Sequence, residues 1–355
     1  MVLLMFTRRL RCSLRTGTLL LLLAGGVHPS AHSQPRYRLE GDEQPVALLS
    51  SAKGVCVVTQ GSVFRMEGKR FVRKYQSTAP IRCALGGDTA IWLGTERGLF
   101  RIDGSDFKAR KLSLPVSQVD PNVTALFRDA TGAAWVGVEA HGTFRLVNGR
   151  FEKALGTTPV NAGVATADSS VWIGTNVGLN RWQHQQWVRY NEEGVANREI
   201  PDNIVEKLIL DNYGNLWVIT SAGISVFEGN APGSTHGAHL PTVRFIGKPN
   251  NEVRSVAHVN GEGYLFATAM GLLLLPDGVG DHFEGLEHSA DKVENKQLLR
   301  HISLGNAPGQ VPFQNPDLIV VDRKKRIWLV SRGEVIALTR KAFHRLVEGD
   351  RPGRG

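Results

Sequence analysis

The chain has 355 residues, 42% hydrophobic and 21% charged, which is ample for a packed core. No run of about 18 apolar residues occurs, which argues against an ordinary membrane-spanning helix. The formal charge of +9 includes four arginines in the first 33 residues, and the one later basic run, Arg323 to Arg326, reads as a solvated turn, so charge gives no ground for a nucleic-acid partner.

The N-terminus predicts export. Arg8, Arg9, Arg11 and Arg15 precede a short apolar run, Leu19 to Ala24, and then small and polar residues, the order of a secretory signal peptide with cleavage near Ser33. Arg11 stands where a twin-arginine signal wants an apolar residue, and Cys12 lies ahead of the apolar run, where it cannot be a lipid-anchored N-terminus. An uncleaved anchor is the alternative to residues 1–33 as a signal peptide. The expected location is periplasmic or extracellular. There Cys56 and Cys83 could pair, but both sit in apolar, strand-like surroundings, and two buried thiols are the favoured state.

Residues 34–45 precede the first repeat and are read as a segment that latches a ring by adding an outer strand to its last unit. From residue 46 to 347 one unit recurs. Its centre is "IWLGT" (Ile91–Thr95), "AWVGV" (Ala134–Val138), "VWIGT" (Val171–Thr175), "LWVIT" (Leu216–Thr220) and "IWLVS" (Ile327–Ser331). Weaker copies are "VCVVT" (Val55–Thr59) and "YLFAT" (Tyr264–Thr268). Five of the seven Trp, namely Trp92, Trp135, Trp172, Trp217 and Trp328, fall on one repeat position and are expected to fill the space between neighbouring sheets. The Gly two residues after the Trp is expected to admit the adjacent unit's backbone.

Each centre follows an alternating apolar segment and a polar turn, as in "VTALFRDATG" (Val123–Gly132). Each is followed by a Gly-containing turn and a second alternating strand, as in "GTFRLV" (Gly142–Val147). A last strand opening on an aromatic is predicted at Phe107, Phe151, Trp187, Phe245 and Phe343. Four antiparallel strands in roughly 36–48 residues make a propeller blade. The fold class is therefore all-β, a single seven-bladed β-propeller. The longest repeat interval contains residues 280–316, read as an insertion between blades six and seven. Residues 348–355 are read as a tail.

The pattern Pro-x-Asn-x-Val, then Asp-x-x-Gly-x-x-Trp-x-Gly-Thr and Gly-Leu-x-Arg, carried by Pro121 to Arg145, by Pro201 to Phe227 and by Trp172 to Arg181, resembles the two-component regulator propeller repeat. The resemblance implies a periplasmic or extracellular ligand sensor of hybrid histidine kinases and related signalling proteins. Several such propellers bind breakdown products of polysaccharides. It implies as partner an oligosaccharide or other small ligand, or a membrane signalling protein. The sequence holds no kinase, cyclase or other output domain of that family.

No His-Glu-x-x-His, Gly-x-Ser-x-Gly, phosphate loop or Cys-x-x-Cys occurs, so no catalytic residue, metal site or cofactor is assigned. A ligand is expected on the face made by the second-to-third strand turns and the inter-blade loops, which would present Glu96, Arg97, Asn122, Glu139, His141, Asn176, Asn203 and Arg332. Arginine there suits a carboxylated sugar, because its fork offers two parallel donors. His184 between Trp182 and Trp187 suggests a stacking platform, with Trp187 read as core and Trp182 off the repeat frame. The alternative function is a propeller enzyme of the lyase or lactonase type with its site at the channel mouth.

Overall fold

The computed structural model describes residues 35–349 apart from 52–53, 88, 193–198, 228, 230–241, 244–251, 278–298, 305–312 and 314. The leader at 1–33, Phe245 and most of 280–316 lie outside the described residues, as do residues 350–355 of the tail.

Among the described residues the strands form seven sheets, each of at least four strands. Six sheets are consecutive runs. The first holds Pro45–Ser51, Gly54–Thr59, Ser62–Glu67 and Arg70–Gln76 in that spatial order. The third holds Val123–Arg128, Ala134–Val138, Gly142–Val147 and Arg150–Leu155. The first strands of neighbouring sheets pack on one another at six of the seven junctions, including that of sheets seven and one, and Asn212 bonds the His258 backbone across the junction of sheets five and six, so the sheets encircle a common axis. This is a seven-bladed β-propeller. The seventh sheet combines Leu318–Val321, Ile327–Ser331 and Glu334–Leu338 with Arg36–Arg38, whose register pairs Tyr37 with Val335. A ring so joined by strands from both ends of its sequence leaves no long unpaired edge around the axis.

The Trp rings fill the gaps between blades. Trp135 meets Trp182 of blade four at 5.8 Å between centroids, Trp172 meets Phe227 of blade five at 5.0 Å, and Trp217 meets Phe266 of blade six at 5.3 Å. Four of the five are 0–1% exposed, while Trp92 is 9% exposed. The glycine two residues on makes room for a side chain rather than for backbone. A Cβ on Gly94, Gly137 or Gly174 would lie about 2.5–2.6 Å from Val123, Val160 or Val205, the first residue of the next blade's inner strand.

Three expectations are corrected. Phe343 opens no strand: it is buried in the helix Arg340–Gly349, which Thr339 caps through a bond from the Ala342 N–H, while the outer strand of blade seven comes from Arg36–Arg38. Phe107 precedes its outer strand, Ala109–Leu112, and turns with φ 58°. Within the supposed insertion, Arg300–Ile302 is the outer strand of blade six, so the long excursion joins that blade's third and fourth strands. Cys56 and Cys83 are free thiols.

Candidate functional site

The antiparallel register places the start of each inner strand beside the end of the second strand, as where Val123 pairs with Val138. Inter-blade loops and second-to-third turns therefore share one face. In six blades the inner strand begins with a β-bulge, after its first residue, that skips Val46, Arg82, Thr124, Asn161, Glu206 or Arg254. A bulge re-aims a side chain out of the ladder. Here three of these residues reach the next blade: Thr124 donates to the Val160 carbonyl at 2.6 Å, Asn161 to the Val205 carbonyl at 2.9 Å and Arg254 to Asp317.

Two cavities open at this end of the axis. The larger, about 770 Å³, is lined by Gln44, Arg254, Asn315, Asp317 and Arg332, with Arg36 and Asp42 at its side. The smaller, about 320 Å³, shares Gln44, Arg254 and Asp317 and adds Arg82, Lys207 and Glu252. Their walls come from blades one, two, five, six and seven, which makes this the channel mouth.

Arg254 is the pivot. Its Nη1 donates to Asp317 Oδ1 at 2.9 Å, and Glu252 lies at 3.8 Å from its Nε. Burial pushes the Asp317 carboxyl above the usual carboxylate range, against the pull of Arg254 and Arg332. Burial likewise pushes the Lys207 ammonium below its usual value, and its Nζ rests on the Arg254 carbonyl at 3.4 Å. Two cations and a carboxylate so placed suit a polar, anion-bearing ligand, since Lys207 and Arg254 are held by inner strands and Asp317 directly precedes one. Arg332, exposed in the second-to-third turn of blade seven, bonds Gln44 at 3.5 Å and makes no ion pair among the described residues.

Of the eight residues expected on this face, Arg332 lines the larger cavity. Glu96 pairs with Arg82, which lines the smaller one, at 3.5 Å. Arg97 is exposed at the adjoining turn, its N–H bonded to Thr95 Oγ1. The other five are spread over blades three to five and hold their own loops. Asn122 donates to Glu139 Oε2 at 2.9 Å, His141 sits 3.3 Å from Gln118, Asn176 accepts from Asn161 at 2.7 Å, and Asn203 accepts from the Glu192 N–H at 2.9 Å. Trp182 is packed between Trp135 and Arg145 and is no free platform. Lys207, Arg254 and Asp317 were missed by sequence reasoning. The signal for Arg254 was a charged residue directly after the first apolar residue of an inner strand, where the bulge falls.

Among the described residues no group of three or more His, Cys, Asp or Glu is placed to hold a metal ion. No described helix is long and apolar enough to cross a membrane.

No protein-family model matches the sequence. No curated protein matches it. Solved structures share the fold. The extracellular domain of a hybrid two-component system of B. thetaiotaomicron superposes with a TM-score of 0.62 at 16% identity, covering 86% of this chain and 39% of that one. Virginiamycin B lyase of Staphylococcus aureus superposes at 0.60 and 15% identity, covering 86% and 98%. YCF48 of Cyanidioschyzon merolae does so at 0.60 and 10%, covering 86% and 98%. The chain thus spans about two fifths of the two-component domain it resembles.

Proposed function

We propose that the chain is an exported propeller whose channel mouth binds a small, polar, anion-bearing ligand, and that a membrane signalling protein reads the bound state. The carrying observation is Arg332, which makes no ion pair among the described residues and faces a cavity of about 770 Å³ beside Arg254 and Asp317. A cavity of that size is typical of small-molecule sites. The likeness to the extracellular domain of a two-component system supports the sensor reading, and an acidic oligosaccharide is the ligand class that fits an arginine fork.

The test is thermal unfolding with neutral and acidic oligosaccharides, on the native chain and on Arg332→Ala. A ligand at about 100 times its dissociation constant adds about 2.7 kcal/mol of stability. An upward shift with acidic sugars that Arg332→Ala abolishes supports the proposal. No shift with any sugar overturns it, and consumption of the sugar during incubation would reassign the channel mouth to lyase-type chemistry.

A further inference from the structure

The end of the axis opposite the channel mouth, where each inner strand turns into the second strand, carries its positive charge on one blade. In blade seven that turn reads Asp-Arg-Lys-Lys-Arg, residues 322–326, whereas the equivalent turns of the other six blades hold a single cation, Lys53. Asp322 is buried and accepts from Arg326 and from the Trp328 indole, while Arg323, Lys324 and Lys325 are exposed. Lys325 stands where the same turn has Gly132 in blade three and Gly214 in blade five. Each N–H bonds the carbonyl of the aspartate three residues earlier, and each φ is positive, 59° at Lys325. A lysine in the left-handed region carries a conformational penalty that glycine escapes. The cation is held there against backbone preference, and such strain points to a functional demand.

The register that pairs Ile327 with Leu338 sets the start of the helix Arg340–Gly349 beside this turn. The helix buries Phe343 and Val347 against blades six and seven and exposes Arg340, Lys341 and Arg345. Arg340 reaches across to blade six, where a Cβ on Gly261 would lie 2.5 Å from its Nη2. Glu348 of the helix and Glu262 of blade six both pair with His344. Six exposed cations thus stand on two adjacent elements, and none of them makes an ion pair among the described residues.

The same end exposes apolar surface on blade five. Tyr213, 48% exposed in the turn after Leu210, sets its ring 4.7 Å from that of His258 in blade six, and Leu210 is itself 39% exposed. The chain also enters the ring here. The Ala337 N–H donates to the Pro35 carbonyl at 3.3 Å, so whatever precedes residue 35 joins the ring at the outer edge of blade seven, toward this end. An uncleaved anchor, the alternative reading of residues 1–33, would hold that edge at a bilayer.

We infer that this end of blades five to seven docks on an anionic phospholipid bilayer, with Arg323, Lys324, Lys325, Arg340, Lys341 and Arg345 against the headgroups and Tyr213 at the interface. Clustered cations are drawn to an anionic leaflet, each tightening binding about fivefold. A tyrosine suits the boundary because its ring is apolar and its hydroxyl polar. A soluble polyanion would use the cations and leave Tyr213 and Leu210 idle. So docked, the ring turns its channel mouth away from the bilayer and toward ligand in solution.

The test follows amide hydrogen exchange of the helix Arg340–Gly349 in the full chain, with vesicles of phosphatidylcholine alone or mixed with phosphatidylglycerol. Only the anionic vesicles are expected to slow exchange, and about 0.5 M salt should abolish the effect. Lys325→Gly is the decisive variant, because it relieves the backbone. It should raise the unfolding midpoint yet need about fivefold more anionic lipid for half protection. Arg323→Gln, Lys324→Gln and Lys341→Gln combined should need about a hundredfold more. Equal slowing by neutral vesicles, or half protection unchanged in both variants, would overturn the inference. So would no slowing by anionic vesicles, the result expected if the five acids of 278–298, which follow blade six at this end and lie outside the described residues, already neutralise the patch. Slowing by heparin that equals that by anionic vesicles and is indifferent to Tyr213→Ala would also overturn it and assign the face to a soluble polyanion.

Discussion

Trp135 Nε1 donates to Asp129 Oδ2 at 2.9 Å, and Arg145 Nε donates to the same oxygen at 2.9 Å, so one carboxylate ties the second and third strands of blade three to its turn. The other oxygen accepts from the N–H groups of Thr131 and Ala133 and from the Thr131 hydroxyl. Asp322 accepts from Trp328 in the same way in blade seven, but its arginine, Arg326, comes from the turn itself and not from the third strand.

Burial alone would raise the Asp129 carboxyl, but the bonds from Thr131, Trp135 and Arg145 outweigh it and hold the group below the usual carboxylate range. A carboxyl depressed in the folded state stabilises the fold above its ordinary pKa, about 3.9, and that stability is lost as pH falls through the lower folded value. Asp129→Ala is expected to cost about 3–5 kcal/mol at neutral pH, because several buried donors and a charged arginine lose their acceptor. Urea unfolding between neutral pH and pH 3 measures both effects. The variant should also show a shallower loss of stability on acidification.

Gly137 has a different partner, the inner strand of blade four. A Cβ there would lie 2.6 Å from Val160 Cγ1 and 2.9 Å from Ala125 Cβ. Gly137→Ala should destabilise by about 1–3 kcal/mol through overpacking. Val160→Ala removes the obstructing methyls, so the double variant should lose less than the two single losses combined. A double-mutant cycle on unfolding free energies reads this coupling directly.

The blade count and the inter-blade role of the Trp were legible because a repeat multiplies a weak local signal by seven. The outer strands were legible only in part: Phe151 and Trp187 do stand at the start of theirs, but an aromatic at the start of a segment can pack equally well from a strand or from a helix, as Phe343 does. Arg254 and Asp317 meet from blades six and seven, separated by 63 positions, and no local pattern announces such a pairing.

Cys83 gives a chemical check on packing. Burial pushes its thiol up to about 12, and its sulfur lies where a Cβ on Gly94 would be 2.5 Å away. Because the thiolate is the reactive species, native Cys83 should resist alkylation by iodoacetamide at pH 8 and react once urea unfolds the ring. Peptide mass spectrometry identifies the labelled site. Cys56, whose thiol burial also raises, should follow the same order.

Tyr37 ranks the contacts that close the ring. Its ring stacks on Trp328 at 6.3 Å with planes 24° apart and meets Phe71 of blade one edge-on at 5.7 Å, so it bridges the seventh and first blades. Beside it Arg36 pairs with Glu334 at the surface, where the arginine side chain is 45% exposed. Exposed ion pairs contribute about 0–1 kcal/mol, because solvent screens the charges and two long side chains must be held still. Aromatic contacts of this kind add about 0.5–1.5 kcal/mol each beyond the apolar area they bury. Tyr37→Ala should therefore destabilise by about 2–3 kcal/mol and Arg36→Ala by less than about 1 kcal/mol. Equilibrium urea unfolding of the two variants separates them: equal losses would mean that backbone pairing of Arg36–Arg38, not the aromatic bridge, holds the ring shut.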